Sequence, residues 1–97
     1  MIKAQISLYV FNYNGDKGEI IREFWKILKE NHFNFKANSF STIVWTDDDK
    51  KLFEMLYFAY EKFKNYGIIF DIKISNVGPY PNFEIKDSEL WKVFGLL

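Results

Sequence analysis

The stretch Ile2-Lys3-Ala4-Gln5-Ile6-Ser7-Leu8-Tyr9-Val10-Phe11 alternates without a slip. Ile2, Ala4, Ile6, Leu8 and Val10 fall on one side, and Lys3, Gln5, Ser7, Tyr9 and Phe11 on the other. Successive side chains of an extended chain point to opposite faces, so the pattern predicts a strand with one apolar and one mixed face. A second stretch of this kind, Ile68-Ile69-Phe70-Asp71-Ile72-Lys73-Ile74-Ser75, sets Ile68, Phe70, Ile72 and Ile74 against Ile69, Asp71, Lys73 and Ser75. Two half-apolar strands need a cover over their greasy side, and the chain between them has to supply it.

Residues 12–18 carry an Asn-Gly pair and a second glycine and read as a loop. From Glu19 to about Asn31 the period becomes helical. Ile20, Ile21, Phe24, Trp25, Ile27 and Leu28 share one broad side, with Arg22, Glu23, Lys26, Lys29 and Glu30 opposite. Asn31-His32 ends this helix. A second strand is predicted over residues 33–40, with Asn38-Ser39 as the turn. A third follows over residues 41–46, where Thr42, Ile43, Val44 and Trp45 favour extended structure. Thr46-Asp47-Asp48-Asp49 combines a capping side chain with first-turn acids and opens a helix to about Asn65. Leu52, Met55, Leu56, Ala59 and Phe63 form its stripe, flanked by Phe53, Tyr57 and Tyr60, and Gly67 suits a left-handed stop.

The resulting order, βαββαβ, predicts an α+β ferredoxin-like sandwich: a four-stranded antiparallel sheet with two helices on one face. In that plan the first strand lies beside the fourth. Their mixed rows (Gln5, Ser7 and Tyr9; Asp71, Lys73 and Ser75) then adjoin on the face that no helix covers. A length of 97 residues fits a single domain, with a core over residues 2–78 and a C-terminal extension over residues 79–97. Pro79 and Pro81 interrupt the exit from the fourth strand. Asp87-Ser88-Glu89 then begins a short helical pattern in which Leu90, Trp91, Val93 and Phe94 are apolar. So greasy a tail is expected to pack on the domain or on a partner subunit.

Composition narrows the function. Lys plus Arg and Asp plus Glu are 13 each, a balance that argues against general nucleic-acid binding and against a polybasic membrane anchor. There is no cysteine, which excludes disulfides, thiolate metal sites and a cysteine nucleophile. No apolar run approaches the roughly 18–20 residues of a membrane span, and the first residues lack a signal-peptide apolar region. A cytoplasmic protein is expected. Aromatic residues make up 21% of the chain, more rings than a small core encloses, so some should face a ligand or a second subunit.

The residues give no positive sign of catalysis. His32 is the only histidine, sits at a helix end and has no nucleophile paired with it. Asp47-Asp48-Asp49 lacks the glycine and terminal glutamate of a calcium loop and reads as a helix cap rather than a metal site. Phosphate-binding glycine loops and zinc-protease or serine-hydrolase motifs are absent from the sequence. No cofactor is implied. A small ferredoxin-like enzyme would need a histidine or acid on the inner face of the sheet. The open face holds the alternatives: Gln5, Ser7 and Tyr9 line up an amide, a hydroxyl and a ring on one strand, suited to hydrogen-bonding and stacking on a heteroaromatic ligand. The same row would equally serve as an ordinary polar face or as a surface for self-association without a ligand.

Three short segments carry a resemblance. Ala4-Gln5-Ile6-Ser7-Leu8-Tyr9, Ser41-Thr42-Ile43-Val44-Trp45, and Ile74-Ser75-Asn76 followed by Pro79 resemble, in order, segments of the YkoF-like thiamine/hydroxymethylpyrimidine-binding family. The likeness spans about residues 2–80. Val10 and Phe11 stand where that family often has a proline, and Gly78 replaces a small residue or cysteine before its later proline. The resemblance implies a ferredoxin-like fold, non-catalytic binding of thiamine or its pyrimidine moiety, and assembly through sheet faces. It implies that Gln5, Ser7 and Tyr9 line the site from strand one, Thr42 from strand three, and Ser75 and Asn76 from the end of strand four. A single copy of the unit implies a homodimer or homotetramer, with the site at or near the subunit interface.

Overall fold

The computed structural model describes residues 1–78. The elements run β1 (Ile2–Val10), α1 (Lys17–Glu30), β2 (Asn34–Ala37), β3 (Thr42–Thr46), α2 (Asp49–Phe63) and β4 (Ile68–Ser75), with a 3-10 turn, Lys64–Tyr66, before β4. The sheet order is β2-β3-β1-β4 and every neighbouring pair is antiparallel. This is the ferredoxin-like α+β plan expected from the order of elements. The extension over residues 79–97, with its expected short helix, lies outside the described residues.

β1 is the central strand, and its alternation sets the two faces. Ile2, Ala4, Ile6 and Val10 are buried, together with Val44 of β3, beneath Ile20, Phe24, Ile27 and Leu28 of α1 and Leu52, Met55, Ala59 and Phe63 of α2. The pairing Ala4↔Val44 and Ile6↔Ile72 puts one residue from each neighbouring strand on this same side. Slipping the register by one residue would turn the whole apolar row into solvent.

Local chemistry sets the ends of the helices. Asp16 caps α1, its Oδ1 accepting from the Gly18 N–H at 2.9 Å. That bond, and Arg22 beside the other oxygen, hold its carboxyl below the usual range. Asp48 caps α2 by accepting from the Lys51 N–H at 3.1 Å, so the aspartate run is a helix start. Gly67 adopts φ 68° and lets the chain double back into β4, where the Phe11 N–H donates to its carbonyl at 3.0 Å.

The second strand is shorter than its pattern suggests. α1 closes with the Phe33 N–H donating to the Leu28 carbonyl and the His32 N–H to the Lys29 carbonyl, the paired bonds of a Schellman motif. Phe33 is therefore a buried anchor behind the helix rather than strand, and β2 begins at Asn34. The motif places His32 at φ 60°, a left-handed conformation normally taken by glycine. His32→Gly is expected to raise stability by about 0.5–1 kcal/mol, or a few degrees in Tm, in a thermal melt. A lower Tm would show that the imidazole itself contributes more than its backbone costs.

Candidate ligand site

β1 outruns β3. Its pairing with β3 covers Ile2 to Ile6 and stops at Ile6↔Thr42, whereas its pairing with β4 continues to Val10↔Ile68. Beyond Ile6 the β3-side edge of β1 faces the β2–β3 turn, residues 38–41, instead of a strand. That turn is built by Asn38, whose Oδ1 accepts from the Phe40 N–H at 2.7 Å and the Ser41 N–H at 3.0 Å. The Asn38 N–H itself donates to the Ser41 carbonyl. A cleft of about 210 Å3 opens between Ser7, Leu8 and Tyr9 of β1, Ile21, Phe24 and Trp25 of α1, and this turn.

The turn is tied to β1 by two of the expected site residues. Gln5 donates its amide to the Ser41 Oγ at 3.2 Å, and the Ser7 hydroxyl donates to the Phe40 carbonyl at 3.1 Å. Both side chains are on the uncovered face of the sheet, as the alternation requires. Tyr9 follows them, half exposed, beside Ile69 of β4. Phe40 stands at the cleft's outer lip, 86% exposed.

Thr42 is placed differently from the sequence expectation. Its partner in the sheet is Ile6, a core residue, so its side chain points to the helix side and is buried. Its Oγ1 accepts from the indole N–H of Trp25 at 2.9 Å. Thr42 therefore does not join Gln5 on the open face. It lines the cleft from the helix side, with Ser7 and Tyr9 also among the lining residues. Removing its hydroxyl leaves the Trp25 N–H without that acceptor in a part-buried position. Thr42→Val is expected to cost about 1–3 kcal/mol in chemical denaturation. An unchanged midpoint would mean that the hydroxyl has no structural duty.

Ser75 and Asn76 are not brought into the cleft. Ser75 pairs with Lys3 at the opposite end of β1. Its hydroxyl closes a local turn, donating to the Val77 carbonyl at 3.1 Å and accepting from the Val77 N–H at 3.2 Å. With Gln5 it borders a shallow depression of the open face, about 320 Å3, also lined by Lys3, Ile43 and Lys73. Asn76 is exposed beyond the end of β4. The six residues thus divide between a cleft (Ser7, Tyr9, Thr42) and a lysine-bordered depression (Gln5, Ser75), with Asn76 in neither.

Charge separates the two places. Lys3 and Lys73 flank Gln5 in the depression and disfavour a cationic ring there. Next to the cleft the residue opposite Ser7 is Asp71, on the same open face. The cleft's aromatic wall comes from Phe24 and Trp25, which the helical period alone assigned to the core stripe. A tryptophan at the margin of such a stripe, needing a partner for its N–H, is the signal that could have marked it. Among the described residues no three His, Asp or Glu side chains gather to hold a metal, and no helix is long and apolar enough to cross a membrane.

No protein-family model and no curated protein matches the sequence. Solved structures do match the fold. A hypothetical protein from Methanocaldococcus jannaschii superposes with a TM-score of 0.69 at 14% identity, over 99% of this chain and 97% of that one. A domain of unknown function, DUF77, from Bacillus cereus gives 0.65 at 15% identity, over 94% of this chain and 88% of that one. A Thermotoga maritima protein named for thiamine biosynthesis or salvage gives 0.66 at 10% identity, over 96% and 97%. At these identities the likeness establishes a shared ferredoxin-like fold, and with it the fold neighbourhood in which the thiamine-related protein and the DUF77 domain both sit.

Proposed function

We propose that this chain binds, without catalysis, a small aminopyrimidine-type ring: thiamine or its hydroxymethylpyrimidine moiety. The observation that carries the reading is the cleft itself. Ser7, Tyr9 and Thr42, each carrying a hydroxyl, line it together with the aromatic residues Phe24 and Trp25 at the one stretch of β1 that β3 leaves open. Two or three polar anchors on apolar walls is the common recipe for a small-ligand site. At about 210 Å3 the cleft is below the roughly 300–1,000 Å3 of drug-sized pockets, so it suits one ring better than the whole two-ring vitamin. A thiazolium attached to that ring would extend over Tyr9 toward Asp71, where a ring face and a carboxylate both favour a cation. The resemblance to the YkoF-like family and the thiamine-related structural neighbour support the same ligand class.

The test is a thermal-shift titration with hydroxymethylpyrimidine and with thiamine. Both are expected to raise Tm in a concentration-dependent way, as any ligand of the native state does. No shift with either at millimolar concentration would overturn the reading.

A second reading has its own observation. Tyr9 and Ile69 are each about half exposed and pair on the open face, and Phe11, also about half exposed, follows β1 directly. An apolar patch of this kind suits a homodimer or homotetramer assembled through sheet faces. That assembly would put the cleft near a subunit boundary, and on its own would make the chain an interaction module. Light scattering with and without ligand separates the two: the module predicts a stable oligomer indifferent to pyrimidines.

A further inference from the structure

The sheet ends on unequal edges. β2 closes one side with four residues, Asn34–Ala37. β4 closes the other with eight, Ile68–Ser75, and carries no proline. It pairs with β1 at every position, so no bulge bends it. Among the described residues, no strand lies against its outer side. A long, regular edge offers backbone N–H and C=O groups to a further strand, and natural edges are commonly shortened, bent or broken by proline to prevent that. β4 also leaves apolar surface at this margin. Ile69 on the open face is 52% exposed, and Ile74 on the helix side is 43% exposed although its neighbour Ala4 is buried.

The sequence of this edge fits a second copy of itself. Directly opposed residues of a continuous antiparallel sheet point to the same side, so a two-fold axis has to set one residue of β4 opposite its own copy. An axis at Asp71 would set carboxylate against carboxylate, and one at Lys73 would set ammonium against ammonium. An axis at Ile72 sets Asp71 opposite the second copy's Lys73, and Lys73 opposite the second copy's Asp71. Both side chains are exposed on the open face, so two complementary charge pairs form at once. On the helix side the same register sets Ile72 against its own copy and Phe70 against Ile74, an aromatic against a β-branched residue, which covers the exposed Ile74. No other two-fold register of β4 brings Asp71 opposite Lys73.

We infer that β4 pairs antiparallel with β4 of a second copy about Ile72, joining two four-stranded sheets into one of eight strands. This contact uses the edge of the sheet, not its face. It is independent of the ligand reading, because no residue of β4 lines the cleft.

The test is the mass of the full-length protein in solution, by light scattering, with Asp71→Lys and Lys73→Asp, two substitutions at exposed side chains that spare the core. Each variant alone sets like charges opposite each other and should weaken the contact about tenfold or more, halving the mass of the assembly at micromolar concentration. An equal mixture of the two should regain the wild-type mass, because each chain then meets opposite charges. A monomeric wild type would overturn the inference, whether the edge is bare or covered by residues 79–97. So would an assembly indifferent to both variants, or one that mixing does not restore.

Discussion

Phe24→Ala is expected to lower the unfolding free energy by about 3–5 kcal/mol, the range for deleting a buried phenylalanine. Phe24 is 1% exposed and its ring meets Phe70 of β4 at 5.9 Å, so it links α1 across the sheet to the edge strand. It also supplies part of the wall of the candidate site. A domain of this size has roughly 5–15 kcal/mol in all, so the variant should sit close to its folding threshold. Equilibrium denaturation in urea reads the change as a shift in midpoint. A loss under about 1 kcal/mol would mean that the cavity collapses freely, and that α1 is not clamped to β4 through this ring.

Tyr9→Ala should do the opposite: little to the fold and much to the site. Tyr9 is 52% exposed, and a surface truncation of this kind normally stays within about 0.5 kcal/mol of wild type. Stacking of a base-like ring on an aromatic side chain is worth about 1–3 kcal/mol, so affinity for hydroxymethylpyrimidine should fall roughly 5- to 150-fold. Phe58→Ala, an equally exposed ring on α2 away from the cleft, is the control and should leave affinity unchanged. Calorimetric titration of the three proteins checks the pattern. Equal affinity in wild type and Tyr9→Ala would remove the ring from the site.

The fold was legible because β1 and β4 alternate cleanly between apolar and mixed residues. Once Ile2, Ala4, Ile6 and Val10 are known to share a face, the helices have only one side to cover. The ends of β2 were less legible. Phe33 follows the alternation of a strand, but the Schellman closure of α1 claims it, and the Asn38 side chain claims residues 38–41 as a turn. β3 was ambiguous for a different reason. Thr42, Ile43, Val44, Trp45 and Thr46 all favour extended structure, and neither parity is clearly polar. Only the register with β1 decides which side faces the core, and it turns Thr42 inward.

For the site, the outward row of Gln5, Ser7 and Tyr9 followed directly from the pleat. Their partners did not. Gln5 reaches Ser41 across 36 residues, Ser7 reaches Phe40 across 33, and Trp25 reaches Thr42 across 17. Contacts of that span depend on strand lengths, specifically on β3 beginning one turn too late to cover the end of β1. A local pattern carries no record of that mismatch, and the mismatch is what makes the cleft.

Mapping amide and indole chemical shifts of the full-length protein during titration with hydroxymethylpyrimidine tests this most directly. Shifts should concentrate at Ser7, Tyr9, Ser41, Thr42 and the Trp25 indole N–H, around the exposed end of β1. Shifts confined to Lys3, Gln5, Lys73 and Ser75, or none at saturating ligand, would contradict the cleft as the binding site.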